Sequence, residues 1–162
     1  MFAEIPASMT RPKEDGEPRI VAIANQKGGV GKTTTAINLA TALAACEKRV
    51  LIIDIDAQGN ASTGLGIDRR ERTVTSYELF VGRAKAGDAV VPTSIPNLSL
   101  VSSSVDLAGA EIELVDMDRR EFRLKDALGG LRDRFDYVLI DCPPALGLTT
   151  LNALVAADAV LV

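Results

Sequence analysis

A three-layer α/β/α fold around a mostly parallel sheet is what this 162-residue sequence predicts, on three observations. Short apolar runs alternate with helical segments along the chain. A loop of glycines and lysines, Lys27-Gly28-Gly29-Val30-Gly31-Lys32-Thr33-Thr34, joins one such run to a helix, and two other runs end in aspartates. Alternating strand and helix segments bury a parallel sheet between helices, and ligands of such sheets sit outside the carboxyl ends of the strands.

Residues 1–18 hold Pro6, Pro12 and Pro18 among mixed charges and lack the apolar stretch of a leader, so a disordered tail is expected there. Residues 20–24 read as the first strand. Residues 50–53, 98–101, 137–140 and 159–162 are further short apolar runs suited to a sheet buried on both faces. Between the first two, a helix over about residues 32–46 carries Ile37, Ala40 and Leu43 or Ala44 at spacings of three and four, which suit one buried face. A second helix is expected around residues 119–134, with Phe122, Leu124, Leu128 and Leu131 among charges, and a third over about 148–157 leads into the last strand. Residues 19–162 are enough for one respectable core, and one domain is expected.

Composition narrows the chemistry. The chain has no histidine, and its only cysteines, Cys46 and Cys142, form no Cys-x-x-Cys pair, which argues against a zinc site and for a reducing, cytoplasmic compartment. No apolar stretch approaches the eighteen or so residues of a membrane span, and a soluble chain is expected. A net charge of −4 restricts any nucleic-acid contact to a local patch.

The loop is read as a phosphate cradle. Glycines let backbone N–H groups point inward, the following helix N-terminus adds partial positive charge, Lys32 is placed to neutralise β and γ phosphates, and Thr33 to hold Mg²⁺ through its hydroxyl. The strict pattern G-x-x-x-x-G-K-[ST] asks for glycine where Gln26 stands, so the match is to the deviant form KGGxGKT, which carries a second lysine, Lys27. Asp54 and Asp56 at the end of the second strand, and Asp141 at the end of residues 137–140, can reach the phosphates. Asp141 sits like a Walker B aspartate directed at Mg²⁺ through water; Asp54 is a second candidate metal carboxylate, and equally a strand-end residue capping the next turn.

With these segments in view, Lys27 to Thr34, the stretch DIDAQGNASTGLG (54–66), DLAGAE (106–111) and DCPPALG (141–147) followed by Leu151-Asn152-Ala153-Leu154, the chain resembles the ParA/Soj family of chromosome- and plasmid-partitioning ATPases, almost continuously over residues 19–162. The resemblance implies a P-loop NTPase fold, ATP and Mg²⁺ as ligands, an ATP-sandwich homodimer, DNA binding without sequence preference, and hydrolysis stimulated by a ParB-like partner. It also implies a cytoplasmic protein that associates with the nucleoid when ATP-bound.

By the same resemblance, the nucleotide is held by Lys27, Gly28, Gly29, Val30, Gly31, Lys32, Thr33 and Thr34. Lys27 is the signature lysine that reaches the partner subunit's nucleotide. Lys32 contacts phosphate, Thr33 and Asp141 hold the metal, with Asp54 kept as the candidate its strand-end position makes it, and Asp56 is the hydrolytic aspartate that orients water. Residues 106–111 border the dimer interface or are an ordinary helix start. Ala57 stands where the family usually has proline, and Ala145 where serine is common. The chain stops at Val162, where such proteins continue; the resemblance therefore implies that C-terminal elements, with the adenine pocket and most of the DNA-contacting surface, lie beyond it.

Three rivals share part of the pattern. A MinD-like membrane-positioning ATPase has the loop without the DCPPALG segment. An iron–sulfur or nitrogenase-like reductase needs cluster-ligating cysteines that Cys46 and Cys142 do not supply. A non-catalytic binding module would be expected to lose Lys32, Asp56 or Asp141, and all three are present.

Overall fold

The computed structural model describes residues 16–131 and 133–162. The chain runs β1 (Arg19–Ile23), α1 (Lys32–Ala45), β2 (Val50–Asp54), α2 (Asn60–Gly64), α3 (Ser76–Val81), α4 (Ala86–Ala89) and β3 (Val90–Pro92). It continues through β4 (Leu98–Val101), α5 (Leu107–Val115), α6 (Arg123–Leu128), β5 (Tyr137–Asp141), α7 (Leu148–Ala156) and β6 (Ala159–Leu161). The strands form one sheet in the order β3-β4-β2-β5-β1-β6, parallel throughout except for β3, which pairs antiparallel with β4.

Apolar runs make this arrangement because a parallel strand flanked by helices must bury both its faces. In β2, Leu51 and Ile53 point into one cluster while Val50 and Ile52 point into the other. Strand β5 divides likewise: Val138 and Ile140 go to the first side and Leu139 to the second. The first side is closed by α3, α5, α6 and α7 through Phe80, Leu114, Leu124 and Ala153, the second by α1 and α2 through Ala36, Ala40, Ala44 and Ala61. These are the two outer layers of the expected three-layer plan.

The strand expectations, and the helices expected over about 32–46 and 148–157, agree with the structure to within a residue at either end. In α1 the fully buried stripe is Ala36, Ala40 and Ala44, with Ile37 and Leu43 at its margins. Small side chains at three successive turns let the helix lie close on the sheet. The helix expected over residues 119–134 is corrected to α6, six residues long, followed by a 3-10 turn at Gly129–Leu131. Arg119 has φ 53, outside the right-handed helical region, and Gly129 and Gly130 are poor helix formers. Leu124, Leu128 and Leu131 are buried as expected, whereas Phe122 is exposed beneath the Arg119 guanidinium, 4.9 Å from its ring centre. The antiparallel β3 was not expected; it is a three-residue edge ending in Pro92, whose missing N–H suits the rim of a sheet. The expected tail lies outside the described residues except for residues 16–18, where Gly16 O accepts from Asp133 N at 2.7 Å.

Buried Asn152 binds α6 to α7. Its Oδ1 accepts from Leu124 N (3.1 Å), and its Nδ2 donates to Arg120 O (2.7 Å) and Leu148 O (2.8 Å). Asn152→Ala strands these main-chain groups in a dry environment and is expected to cost about 2–4 kcal/mol. A urea titration should show a lower midpoint with an unchanged slope.

Candidate functional site

Parallel register brings three strand ends into one row. Ile23 pairs with Asp141, and Asp141 with Asp54, so β1, β5 and β2 release their following loops side by side. The bonds continue past the strands: Cys142 N donates to Ile23 O (3.1 Å) and Ile55 N to Asp141 O (3.1 Å).

The loop after β1 is exposed from Gln26 to Gly31 and is shaped by its own backbone. Lys27 N donates to Asn25 Oδ1 (2.9 Å), and the Lys32 ammonium turns back onto Lys27 O (3.0 Å). Gly29 and Gly31 lie at φ 69 and 89, and a Cβ added to either meets nothing within 4 Å, so the demand for glycine there is conformational. Gly31 opens α1 without a side-chain cap, and the first turn holds no acidic residue. The uncapped N–H groups of this 14-residue helix, with Lys32 and the exposed Lys27 beside them, make a positive end that suits phosphate.

Beneath the loop, Thr33 Oγ1 donates to Asp141 Oδ2 at 2.7 Å. Asp141 is fully buried, and its other oxygen, Oδ1, has no hydrogen-bond partner. Burial pushes the carboxyl up to about 7; the Thr33 hydrogen bond opposes this, and the nearby charges of Asp54 and Asp56 add to it. An orphaned carboxylate oxygen beside a threonine hydroxyl, under a phosphate-shaped loop, fits a small hard cation that keeps waters and takes one or two protein oxygens. Among the described residues no three His, Cys, Asp or Glu side chains group into a metal cage.

Asp54 joins the row but turns away from it. Its Oδ2 accepts from Ser62 N (2.9 Å) and Ser62 Oγ (2.7 Å), and its Oδ1 from Asp56 N (3.1 Å). Of the two readings open from sequence, this is the geometry of the strand-end cap. Burial raises the carboxyl above its usual range, against the Ser62 and Asp56 hydrogen bonds. Asp56 is half-buried at the start of a turn, its Oδ1 accepting from Gln58 N (3.0 Å). Gly59 closes that turn at φ 66, where an added Cβ would run into the Arg72 guanidinium.

The 106–111 segment starts α5, with Asp106 exposed at its head. Glu111 reaches across to α7, accepting from Leu148 N (2.7 Å), Thr149 N (2.9 Å) and Thr149 Oγ1 (2.6 Å), and so caps a helix whose own Gly147 offers no side chain. Sequence reading missed this tie, together with Ser62, Ser103 and Arg72 around the Asp56 turn. Single serines and an arginine far apart in the chain carry no spacing signal.

Comparison with known proteins extends over nearly the whole described chain. The family described as "AAA domain" matches residues 18–162. The chain is 58% identical over 146 residues to the chromosome partitioning protein ParA of Caulobacter vibrioides, covering 89% of this chain and 55% of that protein. To the sporulation initiation inhibitor protein Soj of Bacillus subtilis it is 51% identical over 144 residues, covering 89% and 57%. A structure titled cobyrinic acid a,c-diamide synthase from Mycobacterium smegmatis, with bound ATP analog and magnesium, superposes with a TM-score of 0.85 at 44% identity, covering 89% of this chain and 59% of that one. The chain thus spans somewhat more than half the length of these relatives. A deviant phosphate loop over an aspartate-lined row of parallel strand ends, a family match over residues 18–162 and identity of this extent to both relatives agree: the chain belongs to the ParA/Soj family of P-loop ATPases.

Proposed function

We propose that residues 19–162 are the nucleotide-binding, N-terminal part of a ParA-like ATPase domain that segregates chromosome or plasmid DNA by ATP-dependent dimerisation and nonspecific DNA binding. The observation that carries this reading is the hydrogen bond from Thr33 to the buried Asp141, whose other oxygen is unpartnered, at an uncapped helix start. Bound Mg-ATP supplies the phosphoryl group to be transferred and the metal that offsets its charge. Residues 27–34 hold the phosphates through backbone N–H groups and Lys32, and Thr33 and Asp141 hold the metal. Asp56 orients the attacking water. The ammonium of Lys27, exposed on the rim, completes the site of a facing subunit.

Dimerisation draws support from apolar side chains left in solvent beside the loop: Val30 is 43% exposed and Leu146, in the segment after Asp141, is 67% exposed. Closing two such faces together covers them and sets Lys27 against the opposite phosphates. Hydrolysis then reopens the dimer, so that nucleotide acts as a timer, and a ParB-like protein speeds the step. The protein works in the cytoplasm and on the nucleoid; among the described residues, no helix is long and apolar enough to cross a membrane.

In the intact protein, Lys32→Ala should weaken Mg-ATP binding at least tenfold, about 1.4 kcal/mol, and titration calorimetry that finds the affinity unchanged would remove the phosphate-loop assignment. The other two roles separate by assay. Lys27→Ala should bind ATP yet fail to dimerise with it, whereas Asp56→Ala should bind, dimerise and not turn over. Light scattering alongside phosphate release reads both, and ATP-dependent dimers of Lys27→Ala at the wild-type level would refute the lysine's role.

A further inference from the structure

Asp56 carries the hydrolytic role proposed above, yet its side chain has one neighbour bond, to Gln58 N, and it stands on a turn outside the sheet. What fixes its place is the main chain. Asp56 N donates to Asp54 Oδ1 (3.1 Å), and Asp56 O accepts from Ser103 Oγ at 2.6 Å and from Gly59 N at 2.9 Å. Ser103, just beyond β4, donates its own N–H to Ser62 Oγ (3.1 Å), and Ser62 donates both its N–H and its hydroxyl to Asp54 Oδ2.

The bonds therefore close a ring, Asp54–Ser62–Ser103–Asp56–Asp54, and Asp54, Ser62 and Ser103 are each 0% exposed. Two outer supports complete it. Ser76 Oγ holds Asp54 O (2.6 Å), and Arg72 donates to Ser103 O (3.3 Å), Ile67 O (2.9 Å) and Thr63 Oγ1 (3.0 Å) from beneath Gly59. Three of the four members are buried, and breaking a bond at Ser62 or Ser103 leaves a hydroxyl or N–H without its partner away from water, which holds the ring together.

We propose that Asp54, Ser62 and Ser103 form a positioning clamp for the backbone of Asp56, and that Asp54 serves there rather than as a metal ligand. The clamp's catalytic consequence rests on the hydrolytic reading of Asp56; the clamp itself does not. Both Asp54 oxygens accept from donors of Ser62 and Asp56, and neither is bonded to the Thr33–Asp141 pair. Ser103, just past the end of β4, bonds to Asp56 in the turn that follows the neighbouring β2, so the turn is tied to two strands.

Ser103→Ala in the intact protein tests the clamp by two independent readouts. Amide hydrogen exchange should accelerate at least fivefold over residues 56–59 with the α1 and β5 amides unaffected, and kcat for phosphate release should fall three- to tenfold while the Kd for Mg-ATP stays within twofold. Ser103→Thr, which keeps the hydroxyl, should recover most of both. Unchanged exchange at residues 56–59 overturns the clamp. Faster exchange with wild-type turnover upholds the clamp and refutes the hydrolytic role of Asp56. For the metal, the Mg²⁺ concentration giving half-maximal ATP binding should be the same in Asp54→Asn and wild type; a tenfold rise makes Asp54 a ligand and overturns its assignment to the clamp. Asp54→Ser, which also removes the carboxylate, gives the same comparison if Asp54→Asn does not fold.

Discussion

The hydrogen bond from Thr33 Oγ1 to Asp141 Oδ2 ties the first turn of α1 to the end of β5, and much of the molecule is arranged so that these two atoms meet. The meeting requires β5 to lie between β1 and β2, which the chain reaches only after passing out to β3 and β4 and returning. It requires α1 to lie close on the sheet, which its alanine face permits. It requires a carboxylate in a dry place, a cost that burial exacts and the threonine hydroxyl only partly offsets. A carboxyl near 7 with one oxygen unpartnered is held ready for a positive charge; stability alone would favour an apolar residue at that position.

Three aspartates, Asp54, Asp56 and Asp141, are crowded onto adjacent strand ends, and the sheet handles each differently. Asp141 keeps an oxygen open, Asp56 stays half in solvent, and Asp54 accepts donors on both oxygens. Burial and neighbouring negative charge push both buried carboxyls upward, so the row is electrostatically uncomfortable without a cation. Lys32, folded onto Lys27 O, counters part of this from above.

How much of this the sequence carried depends on range. The strand runs at Val50–Asp54 and Tyr137–Asp141 were legible because double-sided burial leaves an unbroken apolar string. The phosphate loop was legible because its parts are contiguous and its order is dictated by backbone geometry. The helix around residue 124 was over-extended because apolar spacing continued through Arg119 and the Gly129–Gly130 pair, where dihedral preference overrules periodicity. Asp54 could be read two ways because its partner, Ser62, is identified only when α2 folds back over the end of β2. Glu111 and Ser103 were hidden for the same reason: their bonds span 38 and 47 residues.

The Glu111 cap on α7 carries an implication for how this chain can vary. Its carboxylate occupies the space that a Cβ on Gly147 would need, with an oxygen 2.4 Å from that point. Gly147 has φ −92, a conformation open to any residue, so the glycine is required by its neighbour and not by its backbone. The two positions form a lock in which neither can drift alone: a side chain at 147 calls for a shorter residue at 111, and that residue abandons the three donors at the head of α7 unless the newcomer caps them itself. A serine or aspartate at 147 with a small residue at 111 would be the mirror solution, with the cap supplied from within α7's own strand of chain and α5 released from its hold on the segment behind Asp141.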